Sequence, residues 1–211
     1  MLIFLTLCCD NTLDAGGGEK MDYRQRIDKL HVTIKNFFEA KENSFAIIVE
    51  EICRRLRQEK KILVFGNGGS AAQAQHFAAE LVNRFLYDRA PIPAISLTTD
   101  TSALTAIAND SIFDNVFSRQ LEALSNKDDV ALGLSTSGNS ANVIKAIERA
   151  KEHGLLTVVL TGEGGGAVGK LADYCCDVPS TDTPLIQEVH LLLLHLLAEE
   201  IEKKISSSES G

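Results

Sequence analysis

Two polar turns, each placed between a short apolar run and a helical pattern, constrain the fold of this chain more than any other feature. The first turn, residues 66–70, follows a strand predicted over 61–65, and the second, residues 135–140, follows a strand predicted over 129–134; both strands are apolar after their first residue. Short apolar strands that alternate with helices are typical of a parallel sheet covered on both faces. Ligands of such sheets bind beyond the carboxyl ends of the strands. We therefore predict an α/β chain with a ligand site formed by the two turns.

The same patterns predict the order of the other elements. Apolar residues at helical spacing predict two amphipathic helices between residue 22 and about residue 57, which pack against a partner subunit or cap the core. The remaining prediction consists of strands over 61–65, 94–97, 129–134, 156–160 and 174–178, and helices over 71–85, 142–153 and 184–204, with further helical stretches up to residue 124.

Length and composition predict one domain. The chain has 211 residues, 45% of them hydrophobic, which is enough for a single full core. We assign this domain to residues 21–205, with Met21 as the natural start. Residues 1–20 are then a start-site artefact or a loosely held extension, and the serine-rich residues 206–211 a disordered tail.

Charge and cysteine usage exclude several classes of function. A net charge of −8 argues against a nucleic-acid groove, which needs clustered lysine and arginine. The apolar run 1–7 is too short to span a membrane or to act as an ordinary secretory signal. The five cysteines form no CxxC pair, so we expect reduced thiols in a cytoplasmic protein.

Three glycine-rich loops compete as phosphate sites, and two of them fit poorly. Residues 66–71 match the dinucleotide pattern GxGxxG/A, but no acidic residue follows about 20 positions later to hold a ribose. Residues 164–171 nearly match the P-loop pattern, but Leu171 occupies the position where a Ser or Thr hydroxyl must bind magnesium. We interpret this third loop as a flexible connection.

The turn at residues 135–140 is the stronger phosphate candidate. Its Ser-Thr-Ser-Gly-Asn-Ser sequence offers four hydroxyls at the start of a predicted helix. A helix N-terminus carries unsatisfied N–H donors and partial positive charge, so it can hold a phosphomonoester without lysine. The alternative is an ordinary N-cap and turn, for which one serine would be enough. Together with the first turn, this predicts a sugar phosphate as the ligand.

His76 and Glu80 lie four residues apart in the helix after the first turn, so their side chains share a face. Imidazole and carboxylate are ordinary zinc ligands, and the pair could form half of a metal site. The alternative is a solvated helix face on which Glu80 pairs with Arg84. Two ligands do not define a site, so both interpretations stay open.

The terminal helix contains His190 and His195 in an almost wholly apolar sequence, which predicts burial nearly all round. A buried histidine is more often a hydrogen-bonded core residue than a ligand, and it needs a polar partner in either case. Helical periodicity places Glu188 near His195 and does not select Gln187. Spacing alone therefore leaves the ligands of this helix open.

Taken together, the two turns and the motifs His-Phe-Ala-Ala-Glu-Leu (76–81) and Ile-Gln-Glu-Val-His (186–190) resemble the sedoheptulose 7-phosphate isomerases of the SIS domain superfamily. The resemblance runs from about residue 21 to residue 204. It implies a flavodoxin-like doubly wound parallel sheet, a homotetramer with active sites between subunits, and one zinc ion per subunit. It also implies conversion of sedoheptulose 7-phosphate to D-glycero-D-manno-heptose 7-phosphate for lipopolysaccharide or surface-glycan heptose.

The resemblance assigns roles residue by residue. The zinc ligands it implies are His76, Glu80, Gln187 and His195, and the acid–base pair is Glu80 and His195. The substrate contacts it implies are Asn67, Gly68, Gly69, Glu80, Asn109, Asp110, Ser135, Thr136, Ser137, Ser140 and Gln187. One departure is that Pro184-Leu185 stands where the family often has an arginine-containing pair, so a local contact of that arginine is lost.

The residue types suit this chemistry. An aldose–ketose isomerase moves a proton between C1 and C2 through an enediol, so it needs a carboxylate base, an acid at the oxygens and a grip on the phosphate. Two alternatives are a non-catalytic SIS-domain protein that binds the replication initiator and a sugar-phosphate sensor. The first generally lacks the combination of His76, Glu80 and His195, and its presence here favours the enzyme.

Overall fold

The structure, a computed structural model, describes residues 22–206 and contains one sheet of five parallel strands. The strands are β1 (Ile62–Gly66), β2 (Ala94–Ser96), β3 (Val130–Ser135), β4 (Leu156–Thr161) and β5 (Tyr174–Asp177), in the spatial order β2-β1-β3-β4-β5. This is the order of the flavodoxin-like doubly wound fold, so the predicted fold class is confirmed. The predicted extension 1–20, the start at Met21 and residues 207–211 of the predicted tail 206–211 lie outside the described residues, whereas Ser206 ends the last helix.

The helices follow the predicted order with two differences. They are α1 (Tyr23–Leu56), α2 (Gly69–Val82), α3 (Thr101–Asp110), α4 (Ser118–Leu124), α5 (Ala141–Glu152), α6 (Gly166–Leu171) and α7 (Thr183–Ser206), with a 3₁₀ turn at Phe113–Asn115. The prediction of two helices before β1 is wrong, because α1 contains neither glycine nor proline and continues through its polar middle. The third glycine loop, predicted as a flexible connection, leads into the short helix α6. No helix within residues 22–206 is long and apolar enough to cross a membrane.

The three central strands, β1, β3 and β4, are buried on both faces, which explains why they consist almost wholly of apolar residues. Successive side chains of β1 point to opposite faces. Ile62 and Val64 join a core formed with α1, α2 and α7. Leu63 and Phe65 join a second core formed with α4 and α5. Each layer of helices therefore has its own core against the sheet.

Both polar turns leave the same edge of the sheet. Gly66, at the end of β1, pairs in register with Leu134, next to the end of β3. The chain leaves β1 toward β2 on one side, but it leaves β3 toward β4 on the other. This topological switch point opens a crevice between the two strands, which is where ligands bind in such sheets. The predicted position of the ligand site thus agrees with the topology.

Candidate active site

The two turns are joined across the crevice by a pair of asparagines. The Asn67 amide donates to the Asn142 side-chain oxygen at 2.8 Å, and the Asn142 amide donates back to Asn67 at 2.8 Å. Asn142 lies in the first turn of α5 and is buried. Sequence reasoning did not assign a role to Asn142, because its partner Asn67 is 75 residues away. The amide pair fixes the two turns relative to each other.

The first turn also touches the terminal helix. A Cβ atom at Gly69 would lie 2.7 Å from Nε2 of Gln187, so only glycine leaves room for this side chain. The side-chain amide of Gln73 donates to the backbone oxygen of Gln187 at 2.7 Å. Gln187, which helical spacing did not select, is therefore held against the first turn.

Three polar side chains meet where α2 packs against α7. Nε2 of His76 lies 2.8 Å from Nε2 of His195, so one of the two rings donates an N–H to the other. The same atom of His76 lies 3.5 Å from Oε1 of Glu80. The side chains of His76 and Glu80 are 42% and 22% exposed, so a ligand can reach them from solvent. The alternative pair of Glu80 with Arg84 does not form among the described residues, because α2 ends at Val82.

The donor chemistry of this group suits zinc, whose usual ligands are imidazole nitrogen and carboxylate oxygen. As the side chains stand, however, no three His, Cys, Asp or Glu residues within 22–206 form a group that could hold a metal ion. The structure thus brings His76, Glu80 and His195 together in pairs. It places the fourth expected ligand, Gln187, against Gly69.

The hydroxyls of the second turn are not used as an ordinary helix cap. Ser140 is the N-cap residue of α5, but its side chain makes no capping hydrogen bond. Instead it accepts a hydrogen bond from the Ser135 hydroxyl at 3.1 Å. Asn139 braces the turn, since its amide donates to the Ser137 backbone oxygen at 2.9 Å and its oxygen accepts from the Ala167 N–H at 3.0 Å. The turn is therefore a braced loop at the start of a helix, which suits an anion site.

Asn109 and Asp110 are the two candidate residues that this chain does not bring to the others. They end the exposed helix α3, where the Asn109 amide donates to the Asp110 carboxylate at 2.7 Å. Asp110 lines a cavity of about 450 Å³ together with Asn115, Arg119 and Glu122. None of the other candidate residues lines that cavity. If Asn109 and Asp110 belong to a site of this kind, it is therefore not the one formed by the other candidate residues of the same chain.

His190 is a core residue and not a member of the polar group. It is fully buried, and its Nε2–H donates to the Thr161 backbone oxygen at 3.0 Å. Burial lowers the pKa of His190 from 6.5 to about 4, although the bond to Thr161 opposes this shift. The imidazole therefore stays neutral over most of the physiological range.

We expect the buried histidine to make the protein less stable in acid. Below pH 6.5 the unfolded chain binds a proton at His190 that the folded protein binds only near pH 4, so stability falls as the pH falls through this window. The expected loss between pH 7 and pH 4.5 is on the order of 2 kcal/mol. Urea unfolding of the wild type and of His190→Gln at both pH values measures it. Equal losses in the two proteins would contradict this assignment.

Comparison with known proteins agrees with this geometry. The SIS domain family matches residues 25–162. The phosphoheptose isomerase of Helicobacter pylori strain P12 is 51% identical over 170 residues, which cover 81% of this chain and 88% of that protein. The phosphoheptose isomerase of Sulfurimonas denitrificans is 54% identical over 158 residues, covering 74% and 81%.

A solved structure gives the same result. The phosphoheptose isomerase of Neisseria gonorrhoeae superposes with a TM-score of 0.80 at 40% identity, covering 85% of this chain and 96% of that one. The similarity to phosphoheptose isomerases, in sequence and in structure, therefore extends over both turns and most of the chain. The chain belongs to the SIS domain family and, within it, to the phosphoheptose isomerases.

Proposed function

We propose that this protein converts sedoheptulose 7-phosphate to D-glycero-D-manno-heptose 7-phosphate. The observation that carries the proposal is the grouping of His76, Glu80 and His195 where α2 packs against α7. Helix α2 leaves the first polar turn at the switch point of the sheet. A carboxylate and an imidazole are the groups that an aldose–ketose isomerisation needs. A sugar-phosphate sensor or a protein-binding relative has no use for that combination.

Glu80 acts as the base in this proposal. Its carboxylate removes a proton from C1 of the ketose, which leaves an enediol, and the same group returns the proton to C2 of the aldose. His195 serves the two oxygens: it gives a proton to the oxygen on C2 and accepts the one from the oxygen on C1. The atoms balance within the substrate, so no oxidant or reductant is required. Asn67 and Gln187, the polar side chains at the first turn, orient this end of the sugar.

The second turn holds the phosphate. Ser135, Thr136, Ser137 and Ser140 supply hydroxyls, and the first N–H groups of α5 supply backbone donors and partial positive charge. The Asn67–Asn142 pair sets the distance between this turn and the first one. Asn67, Gly68, Gly69 and Gln187 would then contact the reacting end of the same molecule.

We further propose zinc, one ion per subunit, with His76, Glu80, Gln187 and His195 as its ligands. Bound zinc would polarise the substrate carbonyl as a Lewis acid. The distances from His76 to His195, 2.8 Å, and from His76 to Glu80, 3.5 Å, support this, because imidazole and carboxylate are donors that zinc prefers. The proposal requires side-chain adjustment, since the donors stand only in pairs.

A homotetramer with active sites between subunits is the third part of the proposal. Helix α3 has no fully buried residue, and Ile95, Ile112 and Phe113 nearby expose apolar side chains. An exposed apolar surface of this kind is typical of a subunit interface. Asn109 and Asp110 end this helix and would contribute to a neighbour's site. A cytoplasmic location and a role in lipopolysaccharide or surface-glycan heptose also belong to this proposal.

Incubation of the pure protein with sedoheptulose 7-phosphate, with and without a chelator, tests the proposal. We expect the aldose phosphate to appear, the rate to fall after verified metal removal and added zinc to restore it. Chromatography of the sugar phosphates measures the product. Binding without product would favour the sensor. Full activity after verified metal removal would overturn the zinc assignment and leave the isomerase standing.

A further inference from the structure

A fully buried ion pair lies behind the active-site residues. Nε of Arg89 donates to Oε1 of Glu202 at 2.9 Å, and their side chains are 2% and 0% exposed. The Glu202 carboxylate also accepts backbone N–H bonds from Phe85 at 3.0 Å, Leu86 at 2.7 Å and Tyr87 at 3.1 Å. Three consecutive N–H groups thus surround one carboxylate, as they surround a bound anion. The pair fixes the backbone of the segment that follows α2.

Arg89 also binds the C-terminal end of α2. Its guanidinium donates to the backbone oxygen of Glu80 at 3.0 Å and to that of Leu81 at 2.9 Å. The last carbonyls of a helix lack partners within the helix and attract a cation. Arg89 supplies both the partners and the charge, so the backbone of Glu80 is tied directly to the buried pair.

Phe85, whose backbone N–H is held by Glu202, also contacts His195. The rings of Phe85 and His195 are stacked, with centroids 5.5 Å apart and an interplanar angle of 22°. His195 in turn meets the His76 ring edge-on at 5.0 Å. Glu202 follows His195 by seven residues on α7, which is two helical turns, so both lie on the same face. The segment held by Glu202 therefore presents a flat ring to His195.

We propose that Arg89, Glu202 and Phe85 form a positioning unit that sets the orientation of the His195 ring relative to Glu80. This inference rests on the isomerase function proposed above. None of the three residues contacts the reacting atoms in the proposal. The pair holds the segment after α2, and Phe85 transmits that position to the imidazole. Loss of the Phe85 ring should therefore slow turnover more than it weakens substrate binding.

Phe85→Leu tests the unit by kinetics. We expect kcat to fall about tenfold with KM within about twofold, since misplacement of a reacting group by about 1 Å can cost on the order of 10²-fold. Phe85→Tyr keeps a flat ring and should restore kcat. Phe38→Leu is the matched control, because Phe38 is a partly buried ring on α1 that packs edge-on against Phe37 and Phe45. It should alter stability and leave kcat unchanged.

Arg89→Lys tests the unit by a measurement that does not depend on catalytic activity. Histidine ring signals of isotope-labelled, chelator-treated protein should show His195 shifted in Arg89→Lys, although Arg89 does not touch that ring. Unchanged His195 signals in a folded variant, or a normal kcat in Phe85→Leu, would overturn the proposal. If the wild type fails to isomerise the sugar, the proposed function fails, and the His195 signals still decide whether the unit sets the ring position.

Discussion

Replacement of Glu80 by glutamine is expected to lower kcat by about 10²–10⁴-fold, the usual contribution of a positioned base, while sugar-phosphate binding survives. Glutamine has nearly the shape of glutamate, so α2 and the contact with His76 should persist. It cannot accept the C1 proton, because its amide is not basic. The phosphate is held by the second turn, which this change does not touch.

Kinetics and calorimetry with sedoheptulose 7-phosphate measure the two halves of this prediction. Glu148→Gln is the matched control, because Glu148 is exposed on α5 and should keep normal kinetics. Glu80 has two proposed roles, so the zinc content of the variant should be measured as well. Lost turnover with retained zinc indicates the base, whereas lost zinc indicates the ligand. Near-normal turnover would refute the catalytic assignment.

The sequence predicted the sheet well because burial on both faces leaves a strong local signal. The five predicted strands match β1 to β5 to within one or two residues, and the signal is strongest in β1, β3 and β4, whose residues are all buried. The break predicted inside α1 was wrong for a related reason. A polar interval between two apolar stretches resembles a loop, but on a long helix it can be the exposed side of one continuous element.

The site was less predictable, because its decisive contacts join distant parts of the chain. Spacing alone placed His76 and Glu80 on one face, since they are one helical turn apart. His195 lies 119 residues from His76, and only the family resemblance linked them. Arg89 and Glu202 are 113 residues apart and carry no local motif. A buried charge pair of this kind becomes visible only when the tertiary structure supplies its backbone partners.

Gly138 in the second turn makes a close contact that the sequence also did not reveal. Its φ angle is +65°, and a Cβ atom there would lie 2.2 Å from the backbone oxygen of Gly165. The backbone N–H of Val168 donates to the Gly138 oxygen at 2.9 Å, so the turn rests directly on α6. Because the obstacle is backbone, no rotamer change can relieve it. An alanine must push the two loops apart.

Gly138→Ala should therefore destabilise the protein and weaken phosphate binding. The left-handed conformation alone costs about 1–2 kcal/mol for an L-residue, and separation of the loops adds to this. We expect KM for the sugar phosphate to rise about tenfold or more, since a loss of about 1.4 kcal/mol is a factor of ten in affinity. Thermal unfolding and steady-state kinetics measure the two effects.

Gly164→Ala separates the clash from the strain. Gly164 has a φ of +75°, close to that of Gly138, but a Cβ atom there meets nothing within 4 Å. Its alanine variant should show the strain alone, with a smaller loss of stability and little change in KM. The excess effect at Gly138 then measures how far the phosphate turn depends on its contact with α6. If the two variants behave alike, the contact between the loops does not position the phosphate, and the second turn binds its ligand without that support.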